Sequence, residues 1–324
     1  ARKLGFTSRR TMMVAQQLYE GIELGRKGPV GLITYMRTDS TRISELAQSD
    51  AKEYIINTFG QEYYPAKANT YAAGKKSQDA HEAIRPTSVA FVPEEIEKYL
   101  SKEQFKLYQL IWQRFLASQM VPAEFDTLSV KLKNGGYQAA SRGSILRFKG
   151  FQAVYVMAEA EGDKDISLPE LAAGDELRLM KVLPKQHFTE PPPRYNDASL
   201  VKLLEEKGIG RPSTYAPIIE TILARGYVGR VSKTFQPTEL GFVVVELLEE
   251  YFKAIVDEKF TADMEGQLDN VAGGQLDKNK LLGDFYGPFA EDLAKADEAI
   301  GHVELPVEES DVQCELCGRM MVVK

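Results

Sequence analysis

Residues 101–116, SKEQFKLYQLIWQRFL, carry the strongest helical pattern of this 324-residue chain. Ser101 and Gln104 have the spacing of a capping box, in which each side chain satisfies a backbone N–H at the start of a helix. The apolar residues behind it recur at helical spacing and form one broad face: Phe105, Tyr108, Ile111, Trp112, Phe115 and Leu116. A face of this width packs into a core, so we predict that this helix is central to the fold.

The segments before this helix alternate between helix, strand and loop. Thr7 or Ser8 can cap a first helix whose apolar positions Val14, Leu18 and Ile22 are four residues apart. Further elements are predicted from the same rules: a strand over 30–36, a helix over 46–58 stopped by Gly60, and loop-rich sequence over 60–93.

The segments after it change character twice. Pro122 ends the helix, and alternating apolar residues then lead to Asn134-Gly135, a strong hairpin signature. We therefore predict a β-rich segment over 123–190, closed by the triproline at 191–193. Beyond it, two short helices, at about 198–207 and up to Arg225, precede a β-prone stretch, which is the order of a helix-turn-helix with a wing. Residues 240–256 and 280–299 are also predicted helices.

Length and composition indicate an ordinary soluble protein of two or three domains, with 44% apolar and 27% charged residues. There is no apolar run near the ~18 residues of a membrane span and no signal-peptide pattern, so we expect a cytoplasmic protein without a membrane partner. The formal charge of −7 is unevenly spread. Residues 236–324 carry 20 Asp and Glu against 7 Lys and Arg, whereas residues 1–235 carry 27 against 33. A polyanionic partner of the first 235 residues is therefore compatible with the composition.

One cluster of reactive side chains follows the predicted strand. If the chain stays extended there, Tyr35, Arg37 and Asp39 project from one face. Phenols ionise only near about pH 10, so a tyrosine that attacks phosphorus benefits from a neighbouring guanidinium, which can also hold the phosphoryl oxygens. The alternative is that Tyr35 packs and that Arg37 and Asp39 form a surface ion pair.

Two further clusters could bind a phosphate. His81 precedes Arg85 in the loop-rich stretch, where it could orient a phosphate or move a proton; alone, it could equally be a solvated or capping residue. Arg211 precedes Ser213 and Thr214 at a helix start, an arrangement that favours anions, although a simple helix cap explains Ser213 equally well.

Taken together and in this order, the clusters are specific. The stretches Gly31-Leu-Ile-Thr-Tyr35-Met-Arg-Thr-Asp-Ser40, Asp79-Ala-His81-Glu-Ala-Ile-Arg-Pro86 and Gly208-Ile-Gly-Arg211-Pro-Ser-Thr-Tyr215 closely resemble bacterial type IA DNA topoisomerases. Further matches are Leu4-Gly-Phe-Thr7, Phe260-Thr-Ala262, Met264-Glu265 and Cys314-x-x-Cys317-Gly318.

The resemblance implies a role for each matched residue. Tyr35 stands at the nucleophile that joins to a 5′-phosphate of single-stranded DNA, Arg37 at the residue that holds the scissile phosphate, and His81 at the histidine that positions it. The remaining DNA contacts implied are Arg211, Ser213, Thr214 and Arg225. The implied activity is ATP-independent relaxation of negatively supercoiled duplex DNA, by breaking one strand, passing another and rejoining.

The resemblance also implies an α+β multidomain fold, part of a toroid around a hole for DNA, in a monomer at the nucleoid. The implied parts are a helical gate domain with the tyrosine (1–121), a β-rich arch segment (122–190), a helical, winged-helix-like DNA-contact region (191–300), and an acidic linker with the start of a truncated zinc ribbon (301–324).

Metal ions are expected elsewhere in the whole protein. Family members bind Mg²⁺ through a toprim domain that this sequence does not match, and the one Asp-x-Asp here, Asp163-Lys-Asp165, is predicted to be a hairpin turn. Cys314 and Cys317 supply half of the four ligands of a Zn²⁺ ribbon, so we expect the half-site to be unfilled and this chain, as a fragment, to bind neither metal and to be inactive in relaxation.

Two other classes of function stay open from the residues alone. The region around Arg211 could be a non-catalytic, winged-helix-like nucleic-acid-binding module, or the chain could be an interaction scaffold in which Tyr35 and Arg37 only pack. A binding module needs the cluster at Arg211 but does not need the one at Tyr35.

Overall fold

The computed structural model describes residues 3–71, 81–155, 171–301, 308–315 and 317–323. Over these ranges helices predominate and each sheet is a pair of antiparallel strands, which confirms the α+β class. The chain divides into two compact units between Pro191 and Pro192, inside the triproline, and residues 7–9 go with the second unit. The finer boundaries at 121/122 and 300/301 stay predictions. No helix in the described ranges has the length and apolar character needed to cross a bilayer.

The first unit packs helices around one apolar core. Its helices are α1 (Ser8–Glu20), α2 (Glu45–Phe59), α3 (Pro93–Ile96) and α4 (Lys102–Gln119), with short 3-10 turns at Gly25–Lys27, Gln61–Tyr63, Glu97–Tyr99 and Gly150–Ala153. Its strands are β1 (Ile22–Glu23), β2 (Pro29–Val30), β3 (Glu124–Asn134) and β4 (Tyr137–Phe148).

Helix α4 is central to this core, as predicted. The capping box is present: Gln104 N–H donates to Ser101 Oγ at 3.2 Å and Ser101 N–H donates to Gln104 Oε1 at 2.9 Å. Tyr108, Trp112, Phe115 and Leu116 are buried. Tyr108 Oη and Trp112 Nε1 also donate to the backbone oxygens of Phe91 and Val89, so α4 anchors the loop that leads out of the second phosphate cluster.

The predicted strand over 30–36 is wrong. Strand β2 ends at Val30, and beyond it only a single bridge pairs Ile33 with Pro86. Leu32 N–H donates to the carbonyl at the end of α1 rather than to a neighbouring strand. The first helix also ends at Glu20, before the predicted position Ile22, because Gly21 adopts a left-handed φ of 131° and Ile22 pairs with Val30 in β1–β2.

The predicted β-rich segment reduces to one long hairpin among the described residues. Strands β3 and β4 pair from Asn134–Tyr137 to Glu124–Phe148, and the turn falls at Gly135-Gly136, next to the predicted Asn-Gly. Residues 171–196 contain no strand. The turn predicted at Asp163-Lys-Asp165 lies outside the described residues.

The second unit begins with the predicted helix-turn-helix and wing: α5 (Asp197–Lys207), α6 (Tyr215–Ala224), β5 (Val228–Val231) and β6 (Thr234–Pro237). Gly208 ends α5 in the left-handed conformation, as expected for a helix stop. The elements that follow are α7 (Glu239–Tyr251), α8 (Lys253–Val256), α9 (Glu258–Ala272), α10 (Lys278–Ala299), β7 (Glu308–Gln313) and β8 (Met320–Val323). Helix α9 was not among the predicted elements.

A buried carboxylate ties the start of this unit together. Asp197 is 6% exposed and accepts hydrogen bonds from Arg230 on β5, at 2.6 Å, and from the backbone N–H of Ser8, at 2.9 Å. Burial alone would raise the pKa of Asp197, but the hydrogen bonds from Arg230 and Ser8 outweigh it, so the pKa lies below its ordinary value. A carboxylate with a lowered pKa stabilises the fold fully above the unfolded-state pKa of about 3.9, and this contribution disappears as the pH falls through the folded pKa.

Asp197→Asn should lower the free energy of unfolding by about 1 to 3 kcal/mol at pH 7, the scale for hydrogen bonds to a charged group. The difference from the wild type should shrink as the pH falls below about 4, because the unfolded wild-type chain then binds a proton that the folded carboxylate binds only at lower pH. Denaturant unfolding at pH 7 and pH 3 measures both values. Glu206→Gln, in an exposed pair with Lys202 on the same helix, is the control and should change little. An equal difference at both pH values would contradict the lowered pKa.

Candidate functional site

The segment that carries Tyr35 lies against a second segment, residues 81–87. Thr34 N–H donates to the Arg85 oxygen at 2.9 Å and Thr87 N–H donates to the Leu32 oxygen at 3.0 Å. The Thr34 hydroxyl adds a hydrogen bond to the Ala83 oxygen at 2.8 Å. These bonds fix two stretches that are about fifty residues apart in sequence side by side.

The pairing brings two predicted site residues together. The rings of Tyr35 and His81 have centroids 5.7 Å apart. Tyr35 is 39% exposed, so its hydroxyl is accessible to a ligand and its ring is not a core residue. The first two phosphate clusters of the sequence therefore form one site.

The predicted common face is present although the strand is not. Residues alternate in exposure along this segment: Tyr35, Arg37 and Asp39 are exposed, whereas Met36 and Ser40 are buried. Arg37 forms no ion pair with Asp39, and its side chain has no hydrogen-bond or ion-pair partner among the described residues. The alternative of a packed tyrosine beside a surface ion pair does not describe this geometry.

Tyr19 also belongs to the site, which the sequence did not indicate. It lies in the last turn of α1, and its ring meets Tyr35 edge-on with centroids 5.4 Å apart. Gly31 permits this approach, because a Cβ there would lie 2.7 Å from the Tyr19 carbonyl oxygen. The helical spacing of Val14 and Leu18 marks only the buried face of α1, so an exposed tyrosine beside that face carries no pattern of its own.

Arg85, by contrast, has a structural role. Its guanidinium pairs with Glu82 at 2.6 Å and donates to the Pro86 oxygen, and the side chain is mostly buried. The arginine of the second cluster is thus used to shape the loop that presents His81.

The third cluster lies in the second unit, and its arginine is already paired. Arg211 contacts Glu265 at 2.5 Å and Asp269 at 2.9 Å, both on α9, and donates to the Gly210 oxygen. Glu265 also accepts from the Gly210 N–H. The loop before α6 is therefore held against α9, the helix that was not predicted from the sequence. Asp257 as a cap, Gly273-Gly274 as a stop, and the apolar spacing of Phe260, Met264 and Leu268 could have revealed it.

The hydroxyls of this cluster do not cap α6. Thr214 is at the N-cap position, but its hydroxyl exchanges hydrogen bonds with the backbone of Arg211, not with the helix. Ser213 is exposed and forms no hydrogen bond with the described residues, so the capping explanation of Ser213 is wrong. Arg225, at the other end of α6, is exposed and its side chain has no partner in the described part of the chain.

The residues present do not complete a metal site. Cys314 and Cys317 lie in the turn between β7 and β8, where Gly318 N–H donates to the Cys314 oxygen, and they are not joined in a disulfide. Two thiols are half of a structural zinc site, and the described ranges hold no group of three His, Cys, Asp or Glu that could bind a metal ion. We therefore derive no step through zinc or magnesium.

Comparisons with known proteins identify a family and a similar structure. A family model described as DNA topoisomerase matches residues 1–283. The structure is similar to that of full-length topoisomerase I from Thermotoga maritima, with a TM-score of 0.74 and 36% sequence identity. The match covers 99% of this chain and 51% of that one, so this chain spans about half the length of the Thermotoga maritima protein.

The two arginines at α6 should behave differently when single-stranded DNA is bound. Arg225→Ala should weaken binding and reduce the salt dependence of log K by about 0.7, the value for one phosphate contact on a single strand. Arg211→Ala should mainly lower the melting temperature, because Glu265 and Asp269 lose their partner. We expect the free energy of unfolding to fall by about 1 to 2 kcal/mol. Binding titrations at several salt concentrations, with melting curves, separate these effects. Gln267→Ala, which removes no charge at an exposed position of α9, is the control for both. A reduced slope for Arg211→Ala with an unchanged melting temperature would show that Arg211 exchanges its carboxylates for DNA.

Proposed function

Because the chain belongs to the bacterial type IA DNA topoisomerases, we propose that Tyr35 attacks a phosphodiester of single-stranded DNA and forms a 5′-phosphotyrosine ester. The observation that supports this proposal is the juxtaposition of the exposed Tyr35 with His81. Arg37, two residues further on, is also exposed and has no side-chain partner among the described residues. The parent activity would be ATP-independent relaxation of negatively supercoiled DNA, because the ester conserves the energy of the broken bond until the strand is rejoined.

The proposed cleavage step exchanges one phosphorus–oxygen bond for another and needs no reactant besides this chain and the DNA. A bond forms between Tyr35 Oη and phosphorus as the bond from phosphorus to the 3′ oxygen breaks. The tyrosine loses its hydroxyl proton and the departing 3′ oxygen takes up a proton, so no net charge is created. Rejoining is the reverse, with the 3′ hydroxyl as nucleophile and Tyr35 as the leaving group.

Each neighbour has a separate task in this step. Arg37 offers up to five N–H donors to the phosphoryl oxygens, whose charge grows as the tyrosine oxygen adds. His81 lies beside the Tyr35 ring and would position the same phosphate. Tyr19 packs edge-on against the nucleophile and would limit the rotation of its ring.

DNA contacts in the second unit would hold the strand rather than react. We propose that Arg225 binds a backbone phosphate and that Ser213 and Thr214 lie beside the strand. Arg211 would act on DNA only by leaving Glu265 and Asp269, and otherwise fixes the loop. In the whole protein, magnesium would be bound outside the residues described here and zinc by completed ribbons. We further propose that supercoil relaxation needs the half of the Thermotoga maritima chain that this one does not span, and that this chain acts as a monomer.

The alternative function is a winged-helix-like nucleic-acid-binding module without chemistry. The fold of α5, α6 and the β5–β6 wing supports binding by this unit on its own. A pure binding module, however, gives no reason for an exposed tyrosine to lie against a histidine in the other unit, with an arginine two residues further on that has no partner in the described part of the chain.

A single-stranded oligonucleotide with a 3′-bridging sulfur at one linkage tests the proposal, since a 3′ thiolate leaves without being protonated. The wild-type chain should form a covalent adduct, visible as a slower band on a denaturing gel. Tyr35→Phe should form no adduct while binding the strand normally. Arg37→Ala should form the adduct more slowly by about 10²-fold or more, the scale of one lost transition-state contact.

Tyr137→Phe and Arg26→Ala are matched controls, because both residues are exposed and neither belongs to the cluster. Both should react at the wild-type rate. An adduct formed by Tyr35→Phe would eliminate Tyr35 as the nucleophile, and DNA binding without any adduct from the wild type would favour the binding module.

A further inference from the structure

A small polar pocket opens directly beyond the Tyr35 segment. It has a volume of about 110 Å³ and is lined by residues 41–43, by Gln48 on α2, and by residues 69–71. Pockets for drug-sized molecules run from about 300 Å³ upward, so this one can take a part of a ligand, such as one ring, while the rest of the ligand stays outside it. None of the residues in the three phosphate clusters lines it.

The far wall of the pocket is fixed by the end of α4. The side-chain Nδ2 of Asn69 donates to the backbone oxygens of Ser118 and Met120 at 3.0 and 3.1 Å. The Tyr71 hydroxyl also donates to the backbone oxygen of Ser118, at 2.5 Å. Gln48 Nε2 in turn donates to the Asn69 oxygen at 3.3 Å. The shape of the pocket therefore exists before any ligand binds, which lowers the entropic cost of binding.

The unused groups of the pocket suit a nucleotide. Arg42 is exposed, and its guanidinium has no hydrogen-bond or ion-pair partner in the described ranges. Gln48 keeps its amide oxygen as an acceptor, and the ring of Tyr71 is 48% exposed. A cation, an amide and an aromatic face are the groups that bind a phosphate, a base edge and a base plane in single-strand recognition.

The pocket is held close to Tyr35 by the same backbone pairing that builds the site. Ala83 N–H donates to the Arg42 oxygen at 2.8 Å, and His81, two residues before Ala83, contacts the Tyr35 ring. Arg42 and Tyr35 thus flank one short loop in one compact unit. A strand whose phosphate lies at Tyr35 would place an adjoining nucleotide near Arg42.

We propose that this pocket is a nucleotide subsite, in which Gln48 and Tyr71 hold one base and Arg42 holds its phosphate. The proposal rests on the function proposed for Tyr35. The pocket lies in the same compact unit as Tyr35, so it would take a nucleotide of the piece that stays attached to the tyrosine, on the 3′ side of the break. It would retain that piece in register and read its base.

Binding of a 5′-phosphorylated tetranucleotide, which represents the attached piece, tests this by fluorescence anisotropy on the full 324-residue chain. Arg42→Ala should bind about 5- to 10-fold more weakly and with a salt slope smaller by about 0.7. Gln48→Ala should weaken binding about 5-fold. In a series of four tetranucleotides, each without the base at one of the four positions, Gln48→Ala should have no effect on the one that lacks the base bound in the pocket. Arg26→Ala, an exposed arginine away from the pocket, should bind like the wild type.

The outcomes separate the subsite from the chemistry at Tyr35. Wild-type affinity in both Arg42→Ala and Gln48→Ala would overturn the subsite, whatever the adduct assay gives. A Gln48→Ala effect that persists for every base-deleted tetranucleotide would also overturn it, because the change would then act through Asn69 and the fold. If the wild type binds the tetranucleotide equally well without its 5′-phosphate, it is the phosphate-binding role of the Tyr35 cluster that fails.

Discussion

The antiparallel contact between residues 32–34 and 85–87 is the interaction on which the rest of the first unit's site depends. Thr34 N–H and Thr87 N–H donate across this contact, and the Thr34 hydroxyl donates to the nearby Ala83 oxygen. These bonds hold together two loops that have no regular secondary structure of their own. Helix α4 supports one of these loops through Trp112 and Tyr108. The proposed phosphate site would have to hold its nucleophile to within about 0.5 Å, and the helical core supports the loops that carry it.

The arginines divide into those that could bind a phosphate and those that stabilise the fold. In the first unit, Arg37 and Arg42 are unpaired among the described residues, whereas Arg85 is neutralised by Glu82 and shapes the loop. In the second unit, two of the acidic residues after residue 235, Glu265 and Asp269 on α9, form ion pairs with Arg211. The net charge of −7 therefore says little about the local surfaces that would meet a polyanion, since the excess acid lies after residue 235.

The sequence predicted most of what local rules control and less of what distant contacts control. The capping box at Ser101, the Gly60 and Gly208 helix stops and the β3–β4 hairpin follow from neighbouring residues, and they are confirmed. The strand over 30–36 is wrong because Leu32 and Thr34 find their partners in α1 and at Arg85. Tyr19 and the pairing of Arg211 with α9 have no local pattern. Their residue types brought Tyr35 and His81 to attention and the resemblance implied their roles, but only the fold shows their rings in contact.

The central claim is that Tyr35 becomes covalently joined to DNA, and mass spectrometry of the adduct tests it most directly. Trypsin should release residues 28–37, GPVGLITYMR, a peptide in which Tyr35 is the sole tyrosine. After reaction with the sulfur-bridged oligonucleotide and nuclease digestion, this peptide should carry a nucleotide 5′-phosphate on Tyr35. An unmodified peptide in a sample that contains adduct, with the nucleotide found on another residue, would contradict the account.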